Sequence, residues 1–110
     1  MRDKRNRTMS ILHTVNKSPF ERSCLDACLG HAQPGDSVLL MEDAVIAALS
    51  GTAFEGKMAD AAKTLKLNVL GPDLAARGLD PARVVSGISV VDYAGFVDLA
   101  AETKATNAWL

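Results

Sequence analysis

The chain predicts an α/β fold, a small three-layer domain with a parallel sheet of about four strands flanked by helices. Short apolar runs alternate with amphipathic segments four times along the 110 residues. The connections between them are short. One run, Ser37-Val38-Leu39-Leu40-Met41, is apolar without alternation, as suits a strand buried on both faces of a parallel sheet. Right-handed crossovers between parallel strands follow from this order.

Each element has its own signal. Residues 1–8 form a basic leader, and residues 9–110 form one domain. The leader carries Arg2, Lys4, Arg5 and Arg7 against Asp3, a charge of +3. It reads as a flexible or non-native extension, since Met9 directly precedes the first ordered-looking segment; a nucleic-acid arm is the other reading. Ser10 to Val15 is the first strand. Ser18-Pro19-Phe20-Glu21 then reads as a capping box with proline at the first helical position, opening a helix that runs to about His31. Gly35-Asp36 turns the chain into the second strand. Glu42 and Asp43 suit the N-terminus of a short helix, Ala44 to Leu49, through its dipole. Met58, Ala61, Ala62 and Leu65 recur at helical spacing in a third helix, Glu55 to Leu65. Leu67 to Leu70 is the third strand, and Gly71-Pro72-Asp73 starts a helix that Gly78 stops. Asp80 to Arg83 makes a further turn. Ile88 to Val91 is the fourth strand, and Asp92 caps a last helix from Tyr93 to about Thr103. Ala105 to Leu110 reads as a tail that orders only against a partner.

Composition narrows the function classes. Beyond the leader, eight Lys/Arg face twelve Asp/Glu, so the body carries −4. An acidic body argues against direct nucleic-acid binding. No apolar run approaches membrane-spanning length and the leader has no apolar core, so a cytoplasmic protein with no membrane contact is expected. In that compartment the two cysteines are expected as thiols. A four-strand sheet with apolar helices is expected to complete its burial by oligomerising.

Catalytic motifs are sparse. There is no G-x-G-x-x-G and no G-x-x-x-x-G-K-[ST], so no phosphate-cradling loop is supported. Cys24, Cys28 and His31 share one helical face, but they lack the fourth ligand of a structural zinc site. No nucleophile elbow supports a serine triad. No metal and no cofactor are expected.

The remaining candidates each carry two readings. On a helical wheel, Arg22, Ser23, Asp26 and Gln33 cluster on one side. An apolar arc runs from Ala27 through Phe20, Cys24 and Cys28 to Leu25 and Leu29. Cys28 near its middle reads first as a core residue. A reactive thiol wants a helix N-terminus or a cation, and only His31 is at hand. The width of the arc also suits a contact with another subunit. His13, read as ending a strand beside Thr14, can line a crevice at the carboxyl edge of the sheet, or can be satisfied by backbone groups. Glu42 and Asp43 can form an acid/base pair or simply favour a helix entry. Trp109, the only tryptophan, suits an interface.

Five stretches carry a family resemblance: Leu12 to Pro19 (LHTVNKSP), Gly35 to Val45 (GDSVLLMEDAV), Asp73 to Leu79 (DLAARGL), Val90 to Val97 (VVDYAGFV) and Ala108-Trp109. Together, in this order and spacing, they resemble the DsrH/TusB family from Met9 to the end of the chain. Cys28 makes the sequence more similar to DsrH than to TusB, whose members can carry only apolar residues along this helix.

The resemblance implies a DsrE/F-like fold and a cytoplasmic heterohexamer with DsrE-like and DsrF-like subunits, two copies of each. Such a complex relays sulfur as protein-bound persulfide from a TusA-like donor to a DsrC/TusE-like acceptor. In the Dsr branch it serves sulfur oxidation, the reading preferred here; in the Tus branch it serves 2-thiolation of tRNA wobble uridine. The family's principal sulfur-accepting cysteine belongs to the DsrE/TusD subunit. This chain has no cysteine just after a strand, so it is expected as a non-catalytic or auxiliary subunit of a sulfurtransferase complex. Cys28 matches the DsrH cysteine, implying either a persulfide carrier or a docking position for the acceptor's arm, with docking preferred. His31 and Trp109 are the interface candidates. A self-contained small α/β enzyme using His13 or Glu42 is the reading from another class.

Overall fold

The structure, a computed structural model, describes residues 10–109. The basic leader therefore lies outside the described residues. Five strands form one sheet: β1 (Ile11–Val15), β2 (Ser37–Leu40), β3 (Lys66–Leu70), β4 (Ile88–Val91) and β5 (Ala105–Trp109). All pairings are parallel, in the order β4-β3-β2-β1-β5. The helices are α1 (Cys24–His31), α2 (Glu55–Ala61), α3 (Gly71–Ala76) and α4 (Tyr93–Glu102), with 3₁₀ segments at Glu42–Ala48 and Pro81–Arg83.

Strand alternation sorts the apolar residues into two unequal layers. Val15, Val38, Leu40, Leu67 and Val69 point to one face. There they meet Leu25 and Cys28 of α1, Ala44 and Val45 of the 3₁₀ segment, Met58 of α2 and Leu74 of α3. The opposite face has a small core of Leu12, Leu39 and Leu70, covered by Phe96 and Leu99 of α4. The predicted α/β three-layer architecture is the observed one, and β2 is buried at every position.

Three local expectations change. The tail is ordered: Ala105–Trp109 is an edge strand in register with the whole of β1. The four residues before Trp109, Ala-Thr-Asn-Ala, are exposed and show no apolar alternation, so periodicity could not find the strand; the open edge of β1 supplies its hydrogen bonds. The Ser18 capping box does not open a helix. The Ser18 carbonyl accepts from the amides of Glu21 (3.1 Å) and Arg22 (3.0 Å), and its Oγ accepts from the Phe20 amide at 3.2 Å. That local turn uses the donors the cap would need, and α1 starts only at Cys24. Phe20, outside the helix, is 58% exposed and lies edge-on to Phe54. Finally, the segment after β2 is a 3₁₀ helix, entered through Glu42 at φ 50°.

The cap of α4 forms as the sequence predicts: Asp92 Oδ1 accepts from the Gly95 amide at 2.8 Å. Gly95 also lets α4 approach the sheet. A Cβ there would sit 2.9 Å from the Val91 Cβ.

Candidate functional site

The buried polar chemistry of the chain centres on Asp36. The tight turn Gln33–Asp36, closed by the Asp36 amide on the Gln33 carbonyl at 2.9 Å, brings the chain from α1 into β2. It places the Asp36 carboxylate over the start of β1. Oδ1 accepts from the Ile11 amide at 3.0 Å. Oδ2 accepts from the Gln33 amide at 3.0 Å and from His13 Nε2 at 3.0 Å. Burial pushes the Asp36 carboxyl up, but the bonds from His13, Gln33 and Ile11 outweigh it and hold the group below the usual range.

His13 is the middle residue of β1, not its carboxyl end, and it points toward the α1 layer. Its ring is 1% exposed. The Trp109 indole donates its N–H to His13 Nδ1 at 3.1 Å. Because an indole nitrogen only donates, Nδ1 accepts, and the ring proton sits on Nε2, which donates a hydrogen bond to Asp36 Oδ2. The imidazole is thus satisfied on both nitrogens, by side chains rather than by the backbone. His31, at the end of α1, closes the cluster: its ring lies 5.6 Å from Trp109 and 6.3 Å from His13, edge-on to both. The two interface candidates of the sequence, His31 and Trp109, therefore stand together at the junction of α1 and β5. His31 is exposed and Trp109 half-buried.

Cys28 sits one layer inward, with no exposed surface. Burial, and then the nearby negative charge of Asp36, pushes its thiol up to about 12. Near neutral pH it is a protonated core residue. Cys24, a turn earlier, is partly exposed, and the two are not joined as a disulfide. Leu25 and Cys28 are the buried residues of α1, while Ala27 is exposed, so the buried arc is narrower than the sequence suggests.

Glu42 and Asp43 bind α3 to the 3₁₀ segment. The Glu42 amide donates to Asp73 Oδ2 at 2.5 Å, and Arg77 donates to Asp43 Oδ1 from Nη2 at 2.9 Å. Both acids are exposed. The carboxyl edge of the sheet, where parallel α/β folds usually hold ligands, has an open groove of about 430 Å³ lined by Gly71, Pro72, Val90, Val91, Asp92 and Gly95. Its one ionisable side chain, Asp92, is occupied as the α4 cap. Among the described residues, no three His, Cys, Asp or Glu side chains converge as metal ligands.

Asp36 and the Trp109–His13 link are what sequence reasoning missed. Asp36 reads as a turn residue, and nothing local shows that the turn returns it to β1. An acidic residue just before a buried strand, with a histidine in the preceding strand, is the signal that could have found it.

Fold and site together define a small parallel-sheet α/β domain with an internally satisfied His–Asp–Trp network and an un-ionised buried thiol. The chain belongs to the DsrH/TusB family: the family model described as "DsrH like protein" matches residues 17–106. Curated proteins named TusB are similar over 90% of this chain and 100% of their own length, at 42% identity in Erwinia tasmaniensis, 38% in Sodalis glossinidius and 35% in Pectobacterium parmentieri. These relatives favour the Tus side of the family over the Dsr side that Cys28 suggests. Among solved structures, the ychN protein from E. coli superposes with a TM-score of 0.76 at 15% identity, covering 91% of this chain and 98% of its own. MTH1491 from Methanobacterium thermoautotrophicum gives 0.66 at 14% identity, covering 84% and 91%. At these identities the likeness is one of fold.

Proposed function

We propose that this chain is a subunit of a cytoplasmic sulfur-relay complex of the TusBCD type, serving 2-thiolation of the tRNA wobble uridine. The observation that carries the reading is the full-length similarity to proteins named TusB, at 35–42% identity. Its partners are then a TusD/DsrE-like and a TusC/DsrF-like subunit, in a heterohexamer with two copies of each. A TusA-like protein donates the sulfur and a TusE/DsrC-like protein accepts it. In each transfer the acceptor's thiolate attacks the outer sulfur of the donor persulfide. A new S–S bond forms, and the donor cysteine leaves as thiolate.

This chain's role in that transfer is docking and support. The geometry of Cys28 favours this over sulfur carriage, because a thiol pushed up to about 12 and closed to solvent supplies neither thiolate nor access. A DsrEFH-type role in sulfur oxidation is the second reading, and the cysteine at position 28 is what favours it. Deleting the gene and measuring 2-thiouridine in hydrolysed tRNA separates them. The Tus reading expects 2-thiouridine to be lost and restored by the gene in trans. Unchanged 2-thiouridine would overturn it.

A further inference from the structure

The two faces of the sheet are unequally covered, and α4, among the described residues the lone helix on the thinner side, is apolar nearly all the way round. Its ten residues, YAGFVDLAAE, include two charges, Asp98 and Glu102. Phe96 and Leu99 face the sheet. At 100° per residue, Tyr93, Val97 and Ala101 form a second apolar stripe on the outside, with Ala94 and Ala100 beside it. Tyr93 is 59% and Val97 64% exposed, among the most exposed large apolar side chains of the described residues. A helix with apolar residues on both sides is normally covered on both.

Charged residues border this stripe. Asp98 and Glu102, one turn apart, run along one border of the stripe. Neither is paired with a cation among the described residues. Glu102 lies in the last turn of α4, where the helix dipole disfavours a carboxylate, and that turn has no basic residue. Both acids would be relieved by cations supplied from outside. A second copy of this chain fits less well: in an antiparallel two-fold contact across α4, the acidic border of one copy meets that of the other.

We propose that the outer face of α4 is a docking surface for a helix of a different protein chain, one with an apolar stripe bordered by Lys or Arg. Tyr93 and Val97 supply the apolar contact, and Asp98 and Glu102 set the orientation and reject acidic helices. The chemistry of this partner follows from α4 alone. The relay-subunit reading enters only in naming which chains to test.

Two measurements decide it. In the first, the purified chain is titrated by calorimetry with a synthetic Leu/Lys amphipathic helix and with its Leu/Glu counterpart. The expected result is binding of the Leu/Lys helix alone, weakened about tenfold or more by Val97→Glu. The double substitution Asp98→Lys, Glu102→Lys should invert the preference. Unfolding midpoints verify that these exposed substitutions leave the fold intact. Equal binding of both helices, or no effect of either variant, would overturn the proposal. In the second, the chain is co-expressed with the TusC-like and TusD-like subunits of the same genome, carrying a photo-crosslinker at position 93. Cross-linking to a basic-bordered helix of one subunit supports the proposal. An assembly that forms without that cross-link and accepts Val97→Glu unchanged contradicts it. Cross-linking between two copies of this chain would make the face a homodimer contact and also overturn it. If no assembly forms with wild type, the relay reading fails, and the peptide titration still decides the surface.

Discussion

The indole N–H of Trp109 donates to Nδ1 of His13 at 3.1 Å, joining residues 96 positions apart in sequence. Through that bond the end of the chain is held to the middle of β1, and through His13 to Asp36. Removing the donor while keeping an aromatic ring isolates its contribution. Trp109→Phe leaves the buried Nδ1 without a partner, which costs about 1–3 kcal/mol. Urea unfolding should show that loss, and amide exchange should quicken across Ala105–Trp109 ahead of β2 and β3.

Asp36 makes stability depend on acid. Its folded-state carboxyl lies below the usual range, so its contribution is present above the unfolded value of about 3.9 and is lost as pH falls through the folded value. Stability measured against pH should therefore fall on the acid side. Asp36→Asn should be less stable at neutral pH and should show a shallower acid decline. An acid limb unchanged by the substitution would count against this role.

Cys28 acts at the other end of the pH scale. Its thiol is protonated in both folded and unfolded chains below the ordinary value of about 9. Between there and about 12, the unfolded chain ionises while the folded one does not, so stability falls as pH rises through that window. Cys28→Ala should reduce that fall. In the native protein at pH 8, alkylation of Cys28 should run at the rate of structural opening and speed up in urea. Immediate labelling of Cys28 would place it at the surface instead.

Gly95 sets how closely α4 sits on β4. Ala there places a Cβ 2.9 Å from the Val91 Cβ, so the helix must shift outward. Overpacking of this kind costs about 1–3 kcal/mol, more than the gain of about 1 kcal/mol from helix propensity. Gly95→Ala should therefore lower the urea midpoint. A raised midpoint would show that α4 can move without loss.

These residues also show where sequence reasoning reaches and where it stops. The run Ser37 to Met41 announces a buried strand because four consecutive residues, Val38 to Met41, are apolar without alternation, and Asp92 announces a cap because the bond it makes is three residues away. Both signals are local. Ser18 and Glu21 carry an equally clean local signal, yet the Ser18 turn uses the same donors and α1 starts later. Ala105–Trp109 has no signal of its own; it is a strand because β1 has an open edge and Trp109 reaches His13. The site is long-range in the same way. His13, Asp36 and Trp109 lie on three segments, and only the parallel register brings them together. The burial of Cys28 is legible in the sequence, but the Asp36 carboxylate beside it is not.

The role proposed for this chain is to support and dock within a relay complex without carrying the sulfur itself. Native mass spectrometry tests it most directly. The chain is co-expressed with its TusC-like and TusD-like partners and weighed before and after a persulfide donor. The expected product is a heterohexamer in which the added sulfur resides on the TusD-like chain, with Cys28→Ala loading normally. A monomer that ignores those partners, or a sulfur adduct on this chain that disappears in Cys28→Ala, would contradict it.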